Sequence, residues 1–174
     1  CEYRASSGSL AAASLRYSQG DYAGAEALLR EALGMLTRVF GEEDPFTTAC
    51  LLNLAGVTAA MGDYAGAEPL YRSALRVRRQ VLEEGHPQVA EAMNALAGVL
   101  KARGDYVSAE PLYREALAIR RRKLGESHPS VAQSLNNLAG LYCALGDYAK
   151  AEPLFKRSLA IKEKALGPDH PDLA

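Results

Sequence analysis

The chain has 174 residues, 48% of them hydrophobic and 24% charged, with a formal net charge of −1. That is one domain's length with enough apolar material for a core, and the balanced charge gives no electrostatic reason to expect a nucleic-acid partner. No apolar run approaches the roughly 20 residues that cross a bilayer, and Cys1 to Leu10 holds no basic segment leading into an apolar one, so no membrane partner is expected either.

Read along the chain, a tripeptide recurs every 42 residues: Gly20-Asp21-Tyr22, Gly62-Asp63-Tyr64, Gly104-Asp105-Tyr106 and Gly146-Asp147-Tyr148. Ala-Glu-Pro-Leu follows with the same period at Ala67–Leu70, Ala109–Leu112 and Ala151–Leu154, and its first copy is altered to Ala25-Glu26-Ala27-Leu28. Asp44-Pro45, His86-Pro87, His128-Pro129 and His170-Pro171 mark the junctions. The period defines one repeat domain over 1–174, with units of about 1–45, 46–87, 88–129 and 130–171. Residues 172–174 then begin a further, truncated helix. The first unit is expected to start inside its leading helix, with an atypical Ala11-Ala12-Ala13 stretch, as in a fragment of a longer chain.

Within the third unit, Val89, Met93, Leu96, Ala97 and Leu100 fall on one helical face. A second stripe runs through Ala109, Leu112, Tyr113, Ala116 and Leu117 after Gly104. Each unit is therefore expected to be two antiparallel amphipathic helices. Pro87 and Pro129 suit a first turn, and Gly104 supplies the freedom that ends the leading helix. Pro69, Pro111 and Pro153 lie deeper in the second helix, at the cost of one backbone hydrogen bond and a mild bend. One hairpin cannot bury both faces, so neighbours must stack. The predicted fold is an all-α, right-handed α-solenoid of four helix-turn-helix units.

Leu135, Leu138, Ala139, Tyr142, Gly146, Tyr148, Ala151 and Phe155 reproduce the order of large and small positions in tetratricopeptide repeats, and Leu96, Ala97, Ala109 and Tyr113 do so one unit earlier. The usual period is about 34 residues. The longer form here, with Leu135-Asn136-Asn137-Leu138-Ala139 and with Leu124-Gly125 before a His-Pro, resembles the repeats of kinesin light chain and its bacterial relatives. The resemblance implies a protein-interaction scaffold whose leading helices line a groove for an extended peptide or a partner's helix. It equally admits a structural or sensor segment of a larger signalling or protease-fused protein, or self-association through the repeat ends.

On the leading helices, the face opposite the core stripe carries Glu91, Asn94, Gly98 and Lys101, then Gln133, Asn136, Gly140 and Cys143. An amide both donates and accepts, which suits the backbone of an extended ligand. The candidate groove residues are Asn53, Asn94, Lys101, Gln133, Asn136 and Asn137, the asparagines carried over from the family's Asn-Asn-Leu-Ala segment. The alternative is that these amides bind a neighbouring helix and set its spacing. Gly56, Gly98 and Gly140 recur in the same helices, through either close helix packing or an open groove floor. Ala49, Leu52, Gly56 and Ala59 form an apolar counterpart in the second unit. The runs Arg76–Arg79 and Arg120–Lys123 late in second helices are expected to be solvated, complementing the helix dipole.

No phosphate-binding loop, His-Glu-x-x-His, nucleophile elbow or Cys-x-x-Cys is present, so no enzyme activity, metal or cofactor is expected. His86, His128 and His170 sit a full unit apart and read as helix-start residues. The three cysteines, Cys1, Cys50 and Cys143, fit neither a disulfide framework nor a zinc site, which points to a reducing, cytoplasmic setting.

Overall fold

A computed structural model of the chain describes residues 2–166. The described residues form eight helices: α1 (Glu2–Ser18), α2 (Tyr22–Phe40), α3 (Pro45–Ala60), α4 (Tyr64–Val81), α5 (Pro87–Ala102), α6 (Tyr106–Leu124), α7 (Pro129–Ala144) and α8 (Tyr148–Leu166). They fall into two compact units, Cys1–Leu82 and Glu83–Ala174, each containing two hairpins. The fold is an all-α repeat array. His170-Pro171 and residues 172–174 lie outside the described residues.

Each Gly-Asp-Tyr is a stop followed immediately by a start. Gly62 and Gly104 take φ of +83° and +82°, a left-handed conformation that favours glycine and turns the chain out of the leading helix. The next residue then caps the trailing helix. Asp21, Asp63, Asp105 and Asp147 each accept through Oδ1 from the backbone N–H three residues on, at 2.9, 2.8, 3.1 and 3.1 Å. The leading helices begin on the same logic with a different side chain. Asp44 Oδ1 accepts from the N–H of Phe46 at 2.8 Å, and the Nδ1 atoms of His86 and His128 accept from Gln88 and Ser130 at 3.2 and 3.1 Å. The prolines that follow occupy a position with no intrahelical donor to lose. Pro69, Pro111 and Pro153 sit inside α4, α6 and α8, on exposed faces.

The hairpins close on alanine. Ala25, Ala67 and Ala109 are 0% exposed and Ala151 is 2%, so a larger side chain there would hold the two helices of a hairpin apart. In unit 1, Leu29, Leu36, Cys50, Leu54 and Val57 form the core that α2 and α3 share. In unit 2, Met93, Leu96 and Leu100 of α5 and Leu135 and Leu141 of α7 are fully buried. There α6 packs on α5 and α7, and α7 on α8.

Helix α1 has 17 residues against 16 for α3, α5 and α7. Its helix-forming Ala, Leu and Arg residues sustain it without a strong amphipathic stripe. Ala13 alone of the alanine triplet is buried.

Candidate functional site

In unit 2 the N-terminal halves of α5 and α7 and the end of α6 enclose a cleft of about 510 Å³, lined by Gln88, Glu91, Asn94, Arg120, Gln133 and Asn137 among others. Three of the six candidate groove residues therefore meet in one place. They do not meet as free amides. Asn94 is only 8% exposed, and its Nδ2 donates to the Ala90 carbonyl at 2.9 Å and to Ser134 Oγ at 3.4 Å. Its Oδ1 in turn accepts from Asn137 Nδ2 at 3.3 Å. Asn94 is thus used in joining α5 to α7, which favours the helix-spacing alternative at that position. Gln133 is exposed and Asn137 half-buried.

Beneath them lies Arg120, 7% exposed, which corrects its expected place in a solvated basic run. Its Nη1 donates to the Ser130 carbonyl at 2.9 Å, to Gln133 Oε1 at 3.2 Å and to Ser134 Oγ at 2.9 Å. Burial pushes its guanidinium pKa down, and the charge of Glu91 opposes that shift. Arg78, one unit earlier, is buried to a similar degree, so the first basic run is corrected at that position, while Arg76 and Arg79 are exposed as expected. The period could have revealed both. Arg120 lies three and four residues after Leu117 and Ala116, on the buried stripe of α6, and Arg78 stands likewise to Leu75 and Ala74.

The other candidates are distributed elsewhere. Asn53 is exposed and lines a separate cavity of about 290 Å³ in unit 1, with Ala13, Leu29, Leu52, Gly56 and Val57 around it. Of the apolar set expected there, Leu52 and Gly56 contribute and Ala49 is exposed. Lys101 leaves α5 to lie over α7, its Nζ 3.5 Å from where a Cβ of Gly140 would stand. Asn136 is exposed and does not line the cleft.

The helix glycines are covered by side-chain tips and do not press backbone against backbone. A Cβ on Gly56 or Gly98 would meet the Tyr71 or Tyr113 hydroxyl at 3.5 or 3.6 Å, which is ordinary contact. Burial pushes the Tyr113 phenol up to about 12. Gly98→Ala is therefore expected to fit and to raise stability by about 1 kcal/mol, the helix-interior difference between the two residues. An upward shift of the urea midpoint at unchanged helicity checks this, and a downward shift would show that the tyrosine cannot yield.

A second polar joint links α6, α7 and α8. Tyr142, 4% exposed, receives Arg114 Nη2 and donates to Glu110 Oε1, each at 2.8 Å, while Lys150 Nζ lies 5.3 Å from its ring centroid. Its phenol is raised by burial first, then by Glu110, with Arg114 opposing. Among the described residues, no group of three His, Cys, Asp or Glu side chains is placed to hold a metal ion, and no helix is long and apolar enough to cross a membrane. Cys50 is buried, which pushes its thiol up to about 11.

Repeated two-helix hairpins, in which α2 packs on α3 in unit 1 and α6 packs on α7 in unit 2, define a protein of the helical-repeat class. The chain belongs to the tetratricopeptide repeat family, whose model matches residues 5–79, 47–122, 88–164 and 130–174. Such repeats mediate protein–protein interaction and are typically non-enzymatic. Among solved structures, BtubC (BKLC) from P. vanneervenii is 27% identical with a TM-score of 0.83, and the match covers 95% of this chain and 66% of that one. The nearly identical TPR-like repeats of a kinesin light chain-type protein from Podosopora anserina are 26% identical with a TM-score of 0.82, covering 95% and 79%. A Rap protein complexed with competence and sporulation factor shares the fold at 22% identity and a TM-score of 0.80, covering 96% and 45%. No curated protein matches the chain significantly.

Proposed function

We propose that the chain is a scaffold that holds an extended segment of a partner polypeptide in the unit 2 cleft, with Gln133 and Asn137 touching the partner and Asn94 behind them. The supporting observation is a cleft of about 510 Å³ in which the amides Gln88, Asn94, Gln133 and Asn137 stand beside the apolar Pro87, Ala95 and Leu124, a combination suited to a peptide backbone and its side chains. The Rap protein of similar fold was captured with a factor bound, which accords with this role. Asn53 and the apolar cavity around it are a secondary contact for a partner's side chain.

The test is selection from a displayed library of random heptapeptides on the wild-type chain and on Ala95→Arg, which fills the cleft from a half-buried position on its wall. Heptapeptides recovered by the wild type and lost by the variant, at equal helicity, are the expected outcome. Equal recovery by both would remove the cleft from consideration.

A second reading, self-association, rests on α8. Phe155 and Leu159 are 38% and 43% exposed, whereas their repeat equivalents Tyr113 and Leu117 are at 2% and 5% in α6, which α7 covers. Under this reading the α8 face meets a second copy. Sedimentation would then show association that Phe155→Asp with Leu159→Asp abolishes, and a monomer at all concentrations would end that reading.

A further inference from the structure

The hydrogen bonds at the unit 2 cleft have directions that two fixed groups decide. A guanidinium can only donate, so the Gln133 atom facing Arg120 Nη1 at 3.2 Å must be the carbonyl Oε1. A backbone carbonyl can only accept, so the Asn94 atom facing the Ala90 oxygen at 2.9 Å must be Nδ2. Asn94 Oδ1 is thereby left as an acceptor, and the Asn137 atom beside it at 3.3 Å must be Nδ2. The amide orientations therefore follow from the hydrogen-bond network. Gln133 keeps both Nε2 hydrogens, and Asn137 keeps Oδ1, for whatever enters the cleft. The two residues are four apart on α7 and share a face.

We infer that Arg120 is a positioning residue that sets the polarity of this cleft: it holds Gln133 as a donor beside Asn137 as an acceptor, so that the pair matches the C=O and N–H of a partner's backbone. The inference rests on the cleft reading proposed above and adds to it the chemistry each side chain offers. Arg120 touches no ligand in this scheme. It acts through Gln133 directly, and it shares Ser134 Oγ with Asn94. A trailing helix thus sets the orientation of side chains on the leading helix that meets the partner.

Gln133→Glu separates this role from a purely structural one. The carboxylate accepts from Arg120 as the amide oxygen does, so the joint between α6 and α7 is kept or strengthened, but an ionised carboxylate has nothing to donate. The probe is the heptapeptide set selected on the wild type and lost by Ala95→Arg, restricted to sequences without charged side chains so that repulsion by the new carboxylate is not the cause. The expected result is a thermal midpoint at or above that of the wild type together with roughly tenfold weaker binding, the upper range for one lost hydrogen bond. An ester in place of a single peptide bond, which deletes one N–H, should weaken binding to the wild type at one position and have no effect there on Asn137→Ala. Arg120→Lys, which keeps a charged donor, should retain binding. Unchanged affinity of Gln133→Glu for peptides that Ala95→Arg has lost would overturn the polarity inference and leave the cleft reading standing. If no heptapeptide distinguishes the wild type from Ala95→Arg, the cleft reading fails and the inference falls with it.

Discussion

Leu135→Ala is expected to lower the stability of the chain by about 3 kcal/mol, within the range for truncating a buried leucine in a core that cannot collapse onto the space. Leu135 is 0% exposed near the middle of α7, where α6 packs on one side and α8 on the other. Its neighbours sit on rigid helices, so the cavity would persist. A repeat array depends on each interface between adjacent hairpins, and α7 supplies one hairpin's leading helix while closing the hairpin before it. Urea denaturation followed by circular dichroism checks the prediction. A loss below about 1 kcal/mol would mean that the neighbouring helices can close over the site.

Arg120→Met is expected to cost about 2 kcal/mol, although methionine fills much of the same volume. Hydrogen bonds to a charged group contribute about 1.5–3 kcal/mol each, and three acceptors lose the guanidinium together, with Ser134 Oγ keeping only Asn94 Nδ2. Well-packed apolar replacements of buried charges can be neutral when every partner is replaced too. Here the Ser130 carbonyl and Ser134, which is 0% exposed, remain. Replacing Ser134 with Ala in the same chain should return part of the loss, so a double-mutant cycle reads the coupling directly. Strict additivity of the two substitutions would show that Arg120 acts on α7 by packing alone.

Much of the fold was legible in the sequence because repetition marks its own boundaries. The four Gly-Asp-Tyr copies located every trailing helix, and Asp-Pro or His-Pro located the described leading helices from the second unit onward. The role of the aspartates as caps was not read from the sequence, although an Asp directly before a helical stripe carries that signal. The apolar stripe of α5 was identified in full: Val89, Met93, Leu96, Ala97 and Leu100 are all buried.

The candidate site was legible by residue type but not by role. Spacing nominated Asn94 and Gln133, the family resemblance added Asn137, and all three line the unit 2 cleft. Spacing could not say that Asn94 would be consumed between α5 and α7, because that depends on how closely the two helices approach and on what each amide then faces. The basic run misled for a related reason. Arg121, Arg122 and Lys123 follow the dipole at the end of α6, but Arg120 turns inward beneath α7.

The sequence by itself determined the unit, its two helices and their caps, since each follows from local chemistry over a few residues: a glycine that admits positive φ, a side chain that accepts from a free N–H, a stripe with helical period. The tertiary structure alone decided which polar groups are used internally and which remain for a partner. A hydrogen bond between Arg120 and Gln133, or between Asn137 and Asn94, joins helices whose separation is set by packing, and only once that distance is fixed does donor or acceptor character at the cleft become definite.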